Sequence, residues 1–230
     1  MAEKTPERGS KSCAVQVGFA IALTLSACGG PQLREGAFRG RTHGAPSMHC
    51  LPETDVSSDA YSEHMRRGLA LAEASFDVAA PQPPASRAAS DLTDWSNGPL
   101  RAWLEQKQRA LTAARAELDL AAEQSHRERI LGGAVVGLMY EDVARVLRGV
   151  PAPVDLESEP EILRIYEGLV RAQARPFLEL SRSAYRACSL NADHPPGMRH
   201  FSTFCRQRLD GLPEEDAPSP GVTEVEVVRE

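Results

Sequence analysis

Apolar residues recur along this chain at intervals of three and four rather than two, the period of helices and not of strands. Tyr61, Met65, Leu69, Ala72, Phe76 and Ala79 are spaced 4, 4, 3, 4 and 3 and line one face of an amphipathic helix. Ser57, Ser58 or Asp59 is placed to cap its start, and Pro81-Gln82-Pro83-Pro84 ends it. A polar loop follows. Asn97-Gly98-Pro99 then puts a proline in the first turn of a second helix, where its missing N–H costs nothing. Leu100, Trp103, Leu104, Leu111, Ala114, Leu118 and Ala121 carry that helix's stripe.

Ser125-His126-Arg127-Glu128 has capping-box spacing and precedes Ile130, which predicts a break there. Gly132-Gly133 is the other candidate break, because a helix unbroken to residue 148 would be long for a small globule. The stretch Ile130 to Val150 is the most apolar beyond the N-terminal region, with Leu131, Val135, Leu138, Met139, Val143, Val146 and Leu147. Glu141 and Asp142 interrupt it and exclude a membrane span. Gly133 and Gly137, four apart, permit close helix approach and predict a tightly packed central helix rather than a dimerisation face. After the loop Pro151-Ala152-Pro153, Ser158-Glu159-Pro160-Glu161 supplies a second capping box. Ile162, Ile165, Tyr166 and Leu169 form the face that follows it. Pro176 must kink or end that helix, after which Phe177, Leu180, Ala184, Tyr185 and Cys188 resume the pattern. A last helix carries Phe201, Phe204, Cys205, Leu209 and Leu212.

Composition agrees with an all-α fold. The chain has 230 residues, 42% apolar but only 5% aromatic, which argues against a sandwich or barrel. A net charge of −6 with no basic block argues against nucleic acid as a partner.

The first residues read differently from the rest. Lys4, Arg8 and Lys11 precede the uncharged run from Ala14 to Leu25, which closes on Ser26-Ala27-Cys28. These are the basic, apolar and small-residue regions of a secretory signal, and the apolar run is too short to span a bilayer. Leu25-Ser26-Ala27-Cys28 resembles the lipobox of bacterial lipoprotein precursors. The resemblance implies cleavage before Cys28, acylation of its thiol and new amine, and a lipid anchor. Gly29, in place of the aspartate that retains such proteins in the inner membrane, points to the outer membrane. Cleavage would take three basic and two acidic residues and move the net charge from −6 to −7. Anionic headgroups repel such a domain, so it stands off the bilayer. Lys107 would be its one lysine, against many arginines, an excess more simply traced to GC-rich coding than to carboxylate recognition.

The expected organisation is a signal peptide over 1–27, a flexible lipidated tether over 28–54, a helical domain over 55–212 and a disordered acidic tail over 213–230. The Gly- and Pro-rich tether would reach about 25–30 Å from its anchor.

Ala72, Phe76, Ala79 and Pro84 match the small, aromatic, small, proline spacing of the second helix of a tetratricopeptide repeat, and Ser181, Tyr185 and Cys188 echo it. The first-helix Trp-Leu-Gly-Tyr pattern is missing in both places. The stretch from Gly137-Leu138-Met139-Tyr140-Glu141 through Cys205 is also similar to the C-terminal part of tetratricopeptide-like envelope lipoproteins. These partial resemblances imply stacked helical hairpins that bind another protein on a concave face; an irregular helical bundle is the alternative.

Beyond Cys28, three cysteines would share an oxidising compartment: Cys50, Cys188 and Cys205. Cys188 and Cys205 flank the turn from Asn191 to Arg199, and a disulfide between them would join the last two helices, provided that the last one starts near Met198 rather than Pro195. The rival is a zinc site, since Cys188, His194, His200 and Cys205 supply two sulfurs and two imidazoles, though at unusual spacing. His43 with Met48-His49-Cys50 is a weaker copper-type set. His126 between Glu123 and Glu128 is the one acid/base arrangement, and H-E-x-x-H, G-x-S-x-G, phosphate-loop and S-x-x-K motifs are absent. The chain therefore reads as a non-enzymatic, lipid-anchored envelope lipoprotein that needs no cofactor and docks an envelope protein. A metal-binding lipoprotein using the C-terminal His/Cys set is the alternative.

Overall fold

The computed structural model describes residues 45–54 and 60–214. The expected signal segment, the expected lipidation residue Cys28, His43, the cap candidates Ser57 to Asp59 and the tail from residue 215 lie outside them. The described residues are all-α, as the periodicity predicts. Their helices are α1 (Glu63–Phe76), α2 (Ala89–Trp95), α3 (Arg101–Gln124), α4 (His126–Arg148), α5 (Pro160–Ala192) and α6 (Arg199–Gly211). α4 is the hub: α3 and α5 pack against it most extensively, and α1 and α6 also touch it.

α1 shows how such a short helix is held. Its cap is Ser62, whose hydroxyl accepts from the Met65 N–H at 3.1 Å. The buried carboxylate of Glu128, at the start of α4, receives the Ser62 N–H at 2.6 Å and the Ser62 hydroxyl at 2.7 Å. At the other end, Lys107 of α3 donates to the Ser75 carbonyl, and the Trp103 indole donates to the Val78 carbonyl at 3.0 Å. A negative group thus meets the N-terminus and a positive one the C-terminus, each favourable to the helix dipole, and both come from other helices.

One proline reading needs correction and another is narrowed. Pro99 does not open a helix. The chain is helical from Ala89, and Pro99 sits inside a π-turn, Ser96–Leu100, that joins α2 to α3. A wide i→i+5 turn tolerates a missing donor, and burial of Leu92 and Trp95 favours helix in what polarity alone marks as loop. Pro176 does not end α5, which runs through it for 33 residues.

The cap signals divide. Ser125 caps α4, accepting the Glu128 N–H at 3.3 Å, so the break falls there and not at Gly132-Gly133. Ser158 caps nothing; its hydroxyl donates to the Asp155 carbonyl within a 3-10 turn, and α5 starts at Pro160 without a side-chain cap.

Close approach at the glycines of α4 is borne out. A Cβ on Gly137 would lie 2.4 Å from the Tyr185 ring, and one on Gly133 would lie 3.4 Å from the Cys188 Cβ. The Tyr185 hydroxyl donates to Glu141 at 2.6 Å, and Arg208 of α6 grips the same carboxylate at 2.6 and 3.1 Å. Three helices meet on that one carboxylate.

The tether boundary also moves. Residues 48–50 form a 3-10 turn, Met48, Cys50 and Leu51 pack on the core, and the Glu53 carbonyl accepts from His200 at 3.0 Å. Residues 45–54 therefore belong to the domain, because apolar side chains in a Gly- and Pro-rich segment still gain from burial.

Candidate functional site

The chemical candidates are taken apart by the fold. Cys188 and Cys205 stand at disulfide distance, Sγ to Sγ 2.09 Å with Cα atoms 6.2 Å apart. α6 begins at Arg199, just after Met198, as that pairing requires. Both sulfurs are therefore engaged, His200 turns to Glu53, and His194 is exposed, so the zinc quartet is not assembled. No group of three or more His, Cys, Asp or Glu side chains suited to a metal gathers among the described residues. Cys50 carries a free thiol, half-buried beside Ser47 and the Ala45 carbonyl. His126 donates to the Asn191 carbonyl at 3.0 Å, while Glu128 is held by Ser62, so the acid/base pair is not brought together.

Sequence patterns missed the most buried polar cluster. Lys107 is fully buried, 2.7 Å from Asp142 and 2.5 Å from the Ser75 carbonyl, with its ammonium over the rings of Phe76 and Trp103 at 5.6 and 5.8 Å. Arg145 reaches the other Asp142 oxygen at 2.9 Å. Every Lys107 partner is part of the fold and the ammonium is sealed from solvent, so the cluster joins α1, α3 and α4. The Tyr185–Glu141–Arg208 cluster does the same for α4, α5 and α6. Burial, and then the negative charge of Glu141, pushes the Tyr185 hydroxyl well above the ordinary tyrosine range. For Arg208, burial works against the charge, but Glu141 and Tyr185 outweigh it and the pKa is raised. A shallow depression between Glu179, Arg182, Ser183, Arg186 and Glu214 is too open to enclose a small molecule.

The surface holds the more distinctive feature. α4 and α5 run antiparallel in a register marked by His126 against Asn191, Gly137 against Ser181 at 2.9 Å, Tyr140 against Phe177, and the Pro151 carbonyl against the Tyr166 hydroxyl at 3.0 Å. α4 ends at Arg148, which faces the neighbourhood of residue 170. Residues 160–169 of α5 therefore project beyond it, by about 15 Å at 1.5 Å per residue. Among the described residues, the loop between α4 and α5 braces this overhang. The Tyr166 hydroxyl is buried by the contact, which lifts its pKa to about 12. The loop is tied in turn to residue 87, whose backbone carbonyl accepts from Val154 at 3.1 Å and whose guanidinium meets Glu157 at 2.6 Å.

The face Ile162, Ile165 and Leu169, which periodicity marks as core-facing, is the outward one. These residues are 49, 63 and 49% exposed. The half-buried line is Leu163, Tyr166 and Val170, followed by buried Ala174. Two apolar stripes one residue apart lie about 100° apart around a helix, and the bundle can cover only one of them. Leu180 is also turned outward. Three large aliphatic side chains within eight residues form an exposed apolar strip on a projecting rod.

The tetratricopeptide-like spacing is not laid out on one helix near the N-terminus: α1 ends at Phe76, and Ala79 and Pro84 lie in the loop beyond it. Among the described residues no helix is long and apolar enough to cross a membrane. Comparison with known protein families, with curated proteins and with solved structures finds no match to this chain.

Proposed function

We propose that this chain is a lipid-anchored envelope lipoprotein whose helical domain binds protein through the projecting half of α5. The anchor is argued from Leu25-Ser26-Ala27-Cys28 at the end of an apolar run, and the outer membrane from Gly29. A binding role, rather than a catalytic one, is argued from the site chemistry: the buried ionic clusters spend their hydrogen bonds on joining helices.

The observation that carries the reading is the exposed strip Ile162, Ile165 and Leu169 on a helix that outruns its neighbour. Its i, i+3, i+7 spacing presents the anchors that a facing helix or groove recognises. A photo-reactive amino acid at Ile165, in the full chain expressed in its own membranes, should capture protein. The same probe at Leu120 of α3, an exposed leucine outside the strip, should not. Equal labelling at both positions, or none at Ile165, would count against a docking surface. The anchor is tested separately: metabolic labelling with a clickable fatty acid should be lost in Cys28→Ala, and retained label would sink the lipoprotein reading.

A further inference from the structure

Resting on the reading of that strip as a docking surface, we infer that its occupant is a second copy of this chain, paired antiparallel through residues 161–175 of α5.

The pattern on the outward face is self-complementary. Ile162, Ile165, Leu169 and Ala172 fall at the a and d positions of two consecutive heptads, and all four are exposed. Pro176 takes the next a position and ends the seam, while residues before Pro160 are not in the helix. A seam so bounded has one antiparallel register in which every a or d residue finds a partner. Ile162 then meets Ala172 of the second copy, and Ile165 meets its Leu169, in four layers related by a two-fold axis. The large residue faces the small one at the two ends, and the two middle layers are aliphatic.

The flanking positions agree with this register independently of the apolar ones. In an antiparallel pair, g positions face g positions. Glu161 and Arg175 are both g residues, both exposed, and that register sets Glu161 of each copy opposite Arg175 of the other. Within one chain Arg175 contacts Glu179 at 3.0 Å on the surface, a contact weak enough to be shared. The remaining g position is Gly168, one residue from the two-fold axis that this register places level with residue 167. A Cβ there would meet nothing within 4 Å in one chain, so packing inside the chain does not require the glycine. A mid-helix glycine costs about 1 kcal/mol relative to alanine. Beside the axis its lack of a side chain lets two helix backbones come close.

The half-buried face of α5, led by Tyr166 and Val170, looks toward its own bundle, so the two bundles lie away from the shared seam. Four layers make a small interface, at the low end for specific association. Two copies anchored in one membrane would meet at a raised effective concentration, which compensates for that size.

The test is cysteine cross-linking in membranes from cells expressing the full chain with Cys50→Ala to remove the native free thiol. Gly168→Cys lies beside the two-fold axis, with its two copies facing each other, and should give a disulfide-linked dimer on mild oxidation. Glu161→Cys alone should not, because its two copies would be about 18 Å apart along the helix direction. Glu161→Cys together with Arg175→Cys should cross-link again. Arg175→Glu should weaken the Gly168→Cys cross-link, and Glu161→Arg added to it should restore it. A dimer from Glu161→Cys alone would mean parallel pairing and overturn the inference, as would a Gly168→Cys chain that stays monomeric. Photo-labelling from Ile165 separates this from failure of the docking surface itself: a product of twice the chain's mass supports self-pairing, whereas attachment to a different protein, or to residues 215–230 of the same chain, keeps the docking surface and excludes the second copy.

Discussion

The two halves of α5 share one helix and opposite circumstances. From Ala174 onward the helix is packed against the glycines of α4, cross-linked to α6 through Cys188, and tied by Tyr185 and Ser181 to α4. Before Ala174 it has no fully buried residue, and among the described residues its first ten positions are braced by the loop between α4 and α5. Similar apolar content therefore does different things: in one half it fills a core, and in the other it faces outward. The lesson is that an apolar stripe reports the capacity to bury surface, while the neighbouring element's length decides whether that surface is buried.

The largest contrast should come from truncating one side chain in each half. Tyr185→Ala removes a fully buried ring and its bond to Glu141 and should cost about 3–5 kcal/mol by chemical denaturation. Loss under about 1 kcal/mol would show that the packed half is not what holds α5. Reduction of Cys188–Cys205, which closes a separation of 17 residues, should cost about 3 kcal/mol in the chain-entropy view. Thiol counting on the unreduced, denatured protein should leave these two cysteines unreactive. Gly137→Ala pushes a methyl into the Tyr185 ring and should cost about 1–3 kcal/mol, whereas Gly168→Ala in the projecting half should leave one chain unharmed or slightly firmer.

A pH titration sharpens the same comparison. Tyr166 and Tyr185 both hold their protons above the ordinary tyrosine value of 10.0, Tyr166 up to about 12 and Tyr185 well above the ordinary range. A folded pKa raised above the unfolded one means that this stabilisation is complete below pH 10 and is lost as pH rises toward the folded values. Absorbance should show Tyr166 ionising near pH 12, and Tyr185 releasing its proton well above the ordinary tyrosine range or only on unfolding. Tyr185→Phe should remove the Tyr185 step. Smallest of all, Ile165→Ser should change one chain's stability by no more than about 0.5 kcal/mol, because the residue touches little. A loss comparable to that of Tyr185→Ala would place Ile165 in a core and erase the difference between the halves.

Much of the bundle was legible in the chain. The stripes Met65, Ala72 and Leu104, Leu111, Ala114, Leu118 are buried where periodicity puts them, and Ser125 starts α4 as its spacing predicts. The Cys188–Cys205 pairing followed from the turn between two helices. The candidate site was legible only by half: Ile162, Ile165 and Leu169 were visible as a stripe, but their outward direction was not. A line of apolar residues carries no mark of what lies across from it, and a second stripe, Leu163, Tyr166 and Val170, sat one residue away.

What the amino-acid sequence determines by itself is local: helical period, the glycines that permit close approach, and the serine that opens α4. Each depends on residues within a turn or two of one another, where propensity and spacing act directly. Tertiary structure alone decided the rest. Glu128 serves the start of a helix 66 positions away, and Lys107 closes the end of the same helix from 32 positions away while meeting Asp142 from a third element. The overhang of α5 exists because α4 stops at Arg148 in a register fixed by contacts as distant as His126 and Asn191. Long-range partners are chosen by which surfaces meet once the helices pack, and that choice is a property of the whole assembly of helices rather than of any one segment.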